Sequence, residues 1–103
     1  MTRGKVFECE LTVSTGVKEK LSRKHAIEIW EIEEVVYDDP YAFSISYEDC
    51  YFIYGQTFAG RYLLVFVRVL SHDESAKLNF SPKTNVIKII NGHGYERKAE
   101  ETL

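Results

Sequence analysis

Residues 61–70 read Arg-Tyr-Leu-Leu-Val-Phe-Val-Arg-Val-Leu. The stretch has the two-residue period of a strand, and both of its sides are apolar. Leu63, Val65, Val67 and Val69 share one face. Tyr62, Leu64, Phe66 and Leu70 share the other. A strand of that kind belongs in the middle of a sheet with cover on both sides, so the rest of the chain must build around it. With 103 residues and 45% hydrophobic content, the chain has material for one core and one domain, residues 1–103.

The remaining segments supply neighbours for that strand. Residues 6–13 and 42–46 read as strands. Residues 50–56 do too, and Thr57-Phe58-Ala59-Gly60 reads as a hairpin connection into the central strand. Ser14-Thr15-Gly16 carries helix-start chemistry ahead of a short helix over residues 17–25, where Val17, Leu21 and His25 share a side. A second helix is expected over residues 30–37, ended by Asp38-Asp39-Pro40. Residues 71–85 are polar, contain Pro82 and read as a long loop. Residues 86–90 form the last strand, broken by Asn91-Gly92-His93-Gly94. A short terminal helix starts at Tyr95, and residues 96–103 form a tail frayed at its end. The order β-α-α-β-β-β-β-α implies an α+β fold, with an antiparallel sheet packed against two N-terminal helices.

The formal charge of −3 hides a polarity. Residues 18–25 carry Lys18, Lys20, Arg23 and Lys24 against Glu19. Residues 28–39 carry Glu28, Glu31, Glu33, Glu34, Asp38 and Asp39 with no base. A basic helix is thus followed directly by an acidic one. No apolar run approaches the roughly 20 residues that span a bilayer, and the first ten residues contain no signal-peptide core. Both point to the cytoplasm and away from a membrane. Cys9 and Cys50 lack any metal-ligand spacing, so no metal or other cofactor is expected and two reduced thiols are.

No single motif carries chemistry, but several polar residues occupy unusual places. Arg68 sits among Tyr62, Leu64, Phe66 and Leu70, where it must find a carboxylate (Asp49 or Glu48), solvent or a bound phosphate. Arg61 opens the central strand after Gly60, as a phosphate contact or as an exposed hairpin arginine. His25 is a general acid or base, or a partly buried, hydrogen-bonded histidine. His93, between two glycines, fits an active-site loop or a plain turn. Lys88, Tyr95 and Arg97 add to a basic, tyrosine-containing patch with Arg61, or are solvated edge groups. Trp30 and Tyr37, seven apart on the acidic helix, are candidates for a protein-contact surface or for core.

Taken in order, these residues resemble one family. Lys24-His25-Ala26-Ile27 is similar to the KHGI element of the BrnT-type toxins. Ile32-Glu33-Glu34-Val35-Val36-Tyr37 with Asp39-Pro40 is similar to their EEVF-DP stretch. Tyr54-Gly55-Gln56-Thr57, then Gly60-Arg61-Tyr62-Leu63-Leu64-Val65, is similar to their hairpin, and residues 86–90 to their last strand. His93 stands where that family has an arginine, and Ala26 where it has a glycine. The resemblance implies a RelE-like ribonuclease fold and the toxin half of a type II toxin–antitoxin pair. It also implies metal-independent RNA cleavage that halts translation, and a BrnA-like antitoxin as partner. In that setting His93, His25 and Arg61 are the expected catalytic groups. Lys24, Arg68, Lys88, Tyr95 and Arg97 are the expected substrate contacts, and Trp30 and Tyr37 the partner contacts. A homo-oligomer is compatible with it. The alternative is a catalytically inactive homologue that serves as a protein-binding module.

Overall fold

A computed structural model of the chain describes residues 9–81 and 84–95. Its elements are β1 (Glu10–Thr12), α1 (Thr15–His25), α2 (Ile29–Glu33), β2 (Phe43–Tyr47), β3 (Cys50–Gln56), β4 (Tyr62–Val69), α3 (His72–Lys77) and β5 (Val86–Tyr95). Helix α2 runs straight on into one widened, π-helical turn, Glu34–Asp38. The five strands form one sheet in the order β1-β5-β4-β3-β2. Strands β2 to β5 pair antiparallel and β1 pairs parallel with β5, so the sheet is mixed. The fold is α+β, as the sequence implies. The expected all-antiparallel sheet is corrected by β1.

The core lies between the helices and one face of the sheet. Leu21, Ile27, Ile32, Val35 and Val36 come from the helical side. Ile53, Leu63, Val65, Val67, Ile87 and Ile89 come from the strands. Burial of side chains of this size stabilises by about 1.5–3 kcal/mol each, which fixes the helices over this face. The β4 row Leu63, Val65, Val67 is fully buried, while Tyr62, Leu64 and Phe66 are only half-buried. The expectation of cover on both sides therefore fails. Aromatic side chains on the second face shield one another instead. Phe43 stacks on Tyr54 at 5.1 Å and Phe52 on Phe66 at 4.9 Å between ring centroids.

Local chemistry explains the helix ends. Ser14 Oγ accepts from Val17 N at 3.2 Å and starts α1. Arg23, Lys24 and His25 crowd its last turn, where positive charge is favoured. Ala26 then turns the chain with φ 53°, and Ile27 N donates to Leu21 O at 3.0 Å. The π-helical turn closes with Asp39 N donating to Glu34 O at 2.9 Å.

Three segments differ from the sequence expectation. The polar stretch 71–85 is not simply a loop, since it contains α3. Ser71 Oγ accepts from Glu74 N at 3.2 Å and Glu74 Oε1 accepts from Ser71 N at 3.0 Å, a capping box. The last strand does not stop at Ile90. It bulges there, re-pairs from Asn91 opposite Phe66, and continues to Tyr95 opposite Tyr62. Gly92 permits this because a Cβ at that position would lie 3.3 Å from Leu64 O and 3.6 Å from Leu21 Cδ2. The described part of the first strand is Glu10–Thr12, against an expected 6–13. The described order is thus β-α-α-β-β-β-α-β. The expected terminal helix, with Arg97, lies outside the described residues, and Tyr95 itself ends a strand.

Candidate active site

One end of the sheet brings together residues from three distant parts of the chain. His25 closes α1, Arg61 precedes β4, and His93 and Tyr95 lie in the last part of β5. With Tyr62 and Gly94 they line an open depression of about 450 Å³. The pairing of Tyr62 with Tyr95 and of Leu64 with His93 sets its floor. The His25 and His93 rings stand 6.1 Å apart, centroid to centroid, tilted by 45°. Among the described residues neither imidazole makes a side-chain hydrogen bond, and both line the depression.

Arg61 is held by the backbone it caps. Its Nη1 donates to Ala26 O at 2.6 Å and its Nη2 to His25 O at 2.8 Å. Nη1 also meets Glu31 Oε1 at 3.3 Å. These are carbonyls at the C-terminal end of α1, where orphan acceptors and the helix dipole favour a cation. A guanidinium has five N–H groups, and the Nε and one Nη2 hydrogen are not used by these contacts. A Cβ on Gly94 would sit 3.4 Å from both Nε and Nη2, so glycine leaves room for the guanidinium beside β5. The turn before it is fixed as well. Gly60 takes φ 92°, and Thr57 Oγ1 accepts from Arg61 N at 3.1 Å.

The other expected contacts fall elsewhere. Lys24 is exposed on α1 and does not line the depression. It is rotated about 100° from His25 by helix geometry. Arg68 lies seven residues along β4 from Arg61, about 23 Å at strand rise. It pairs bidentately with Glu74, Nη1 to Oε1 at 3.1 Å and Nη2 to Oε2 at 2.8 Å. The partner is neither Asp49 nor Glu48. These bonds, then the Ser71 N–H, hold the Glu74 carboxyl down at about 2. Lys88 sits opposite Arg68, at the same remote end. Neither belongs to a patch with Arg61. Trp30 is exposed (56%) and remains available to a partner. Tyr37 does not share its side. The widened turn between them carries it inward, where its hydroxyl donates to Cys9 O at 2.9 Å.

Sequence reasoning passed over three features here. Glu31, 8% exposed, is the carboxylate that meets Arg61. Tyr62 lines the depression. Next to it, Asp39, Tyr41, Phe43, Tyr54, Tyr62 and Tyr95 line a second groove of about 550 Å³. The alternation of aromatics along residues 50–56 and 61–70 was the available signal, but it reads equally well as a second buried face. Cys9 and Cys50 are both free thiols. Among the described residues no group of three or more His, Cys, Asp or Glu side chains is placed to hold a metal ion. No described helix is long and apolar enough to cross a membrane.

No protein-family model matches the chain, and no curated protein is significantly similar to it.

Proposed function

We propose that the chain is a metal-independent endoribonuclease of the BrnT toxin type, with the His25–Arg61–His93 depression as its active site. The observation that carries this reading is the convergence of two imidazoles and a guanidinium from α1, the β3–β4 turn and β5 on one open depression. RNA carries its own nucleophile, so little more is needed. One imidazole takes the proton of the 2′-hydroxyl, and the 2′-oxygen attacks the adjacent phosphorus. The second, protonated imidazole gives its proton to the departing 5′-oxygen. The products are a 2′,3′-cyclic phosphate and a 5′-hydroxyl. Each positioned proton transfer contributes typically ~10²–10⁴ in rate. The remaining N–H groups of Arg61 offset charge on the pentacoordinate phosphorus. In this reading the chain acts in the cytoplasm, and a BrnA-like antitoxin covers the site until it is removed.

A second reading is favoured by one feature. Much of the Arg61 guanidinium is committed to His25 O, Ala26 O and Glu31, which suits a scaffold more than a phosphate clamp. A catalytically inactive, protein-binding homologue would keep this arrangement and use the exposed Trp30. Expression of the chain alone, and together with the adjacent gene product, separates the two. Growth arrest relieved by the neighbour and lost in His93→Ala supports the toxin. Harmless expression at a normal protein level supports the binding module.

A further inference from the structure

The open face of the sheet carries a run of aromatic side chains that the chemistry above does not use. The 550 Å³ groove at its upper end lies between Asp39 and Tyr41 on one side and Tyr62 and Tyr95 on the other, with stacked Phe43 and Tyr54 at its floor. It adjoins the proposed catalytic depression, because Tyr62 and Tyr95 line both. On the far side of His93 a smaller cleft of about 140 Å³ is lined by Phe52, Leu64, Phe66 and Asn91, among others. Within it Asn91 Oδ1 is buried without a hydrogen-bond partner among the described residues.

We propose that the tyrosine groove binds a nucleobase of single-stranded RNA, flanking the linkage held at His25 and His93. This deepens the nuclease reading and rests on it for the position of the phosphate. Three observations select a base as the occupant. Ring faces are what a base stacks on, and stacking tolerates any sequence. The groove's charged group is Asp39, whose carboxylate already accepts from Tyr41 N at 2.9 Å and Gln56 N at 2.7 Å. A carboxylate repels phosphate but accepts from the amino or imino edge of a base, so the sugar–phosphate chain is directed away from it. The cationic and imidazole groups lie at the other end, past Tyr62 and Tyr95, where the phosphate must be. A nucleotide laid along the groove thus meets acceptors and rings at its base and Arg61 at its phosphate.

The test uses the full chain and a fluorescein-labelled, fully 2′-O-methylated hexanucleotide of mixed sequence, which cannot be cut. Anisotropy titrations compare it with an abasic backbone of equal length. Removal of the bases should weaken binding by about 5- to 100-fold. Tyr41→Ala and Tyr54→Leu should each weaken the hexanucleotide by a similar factor and leave the abasic affinity unchanged. Tyr41 is 78% exposed, so its variant keeps the fold even where Tyr54→Leu, which loses a stack on Phe43, does not. Equal affinity for both probes, no binding at all, or wild-type binding by Tyr41→Ala would each overturn the proposal. So would a wild-type dimer in sedimentation that Tyr41→Ala dissociates, since the groove would then face a second copy. Cleavage of unmodified RNA is scored separately. Cutting with no base-dependent binding sinks the groove and leaves the nuclease. Base-dependent binding with no cutting does the reverse.

Discussion

Replacing Arg61 with alanine should cost stability as well as activity, and the two losses have separate causes. The guanidinium satisfies two carbonyls at the end of α1, at 2.6 and 2.8 Å, and meets the Glu31 carboxylate at 3.3 Å. Hydrogen bonds from a charged donor are worth roughly 1.5–3 kcal/mol each when sheltered. The Arg61 side chain is 35% exposed, so water replaces part of that. Among the described residues Glu31, at 8% exposure, keeps only the Glu28 N–H at 3.0 Å once the arginine is gone. The sum retained is about 2–3 kcal/mol, or roughly 10–20 °C in Tm for a chain of this size. Thermal melts followed by circular dichroism measure it. Arg61→Lys should fall in between, because one ammonium cannot span both carbonyls and the carboxylate. A Tm for Arg61→Ala within about 2 °C of wild type would refute the capping role. Because Arg61 also holds the fold, His93 is the proper site for a catalytic test.

Other changes follow from single observations. Ala26→Gly should stabilise by about 1 kcal/mol, read as a higher denaturation midpoint, because Ala26 sits at φ 53° where glycine bears no Cβ penalty. Gly55→Ala should destabilise by about 2–3 kcal/mol, since its Cβ would lie 2.5 Å from Val35 Cγ1 and 3.0 Å from Asp39 Oδ2. The Glu74 carboxyl, lowered from 4.5 to about 2 by Arg68 and then by the Ser71 N–H, contributes stability that is present above pH 4.5 and lost as pH falls towards 2. Its carboxyl carbon should titrate near 2 by NMR, and Glu74→Gln should flatten the acid limb of the stability profile. Cys9, pushed up to about 11 chiefly by burial, stays protonated at pH 7. A thiol reagent should modify it at least ~10-fold faster in urea than in the native protein.

What was legible in the sequence was whatever local chemistry decides. Strand β3 falls on the expected residues 50–56, and α1 starts from the Ser14 cap, because alternation and capping act within a few residues. His25, Arg61 and His93 stood out one by one as polar residues in unusual places, and the structure brings them to one depression. Other features depended on partners far along the chain. Asn91-Gly92-His93-Gly94 looks like a strand breaker, yet pairing with β4 and the approach of Leu21 make it strand. The helix in 72–77 was masked by its polar composition, although Ser71 and Glu74 spell out its cap. Tyr37 left the side of Trp30 because of a widened turn that no residue type announces. The aromatic face was misassigned for a physical reason as well. A half-exposed row of mutually stacked rings and a fully buried row carry the same alternation.

The most direct test maps the ends that the chain leaves on RNA. With end-labelled RNA and a chelator present, the wild-type chain should produce 2′,3′-cyclic phosphate and 5′-hydroxyl termini. One 2′-deoxy sugar at the cut step should stop cleavage there, and His93→Ala should be slower by ~10² or more at an unchanged melting temperature. Intact RNA, cutting that ignores the deoxy sugar, or full activity in His93→Ala would contradict an acid–base site built from His25 and His93.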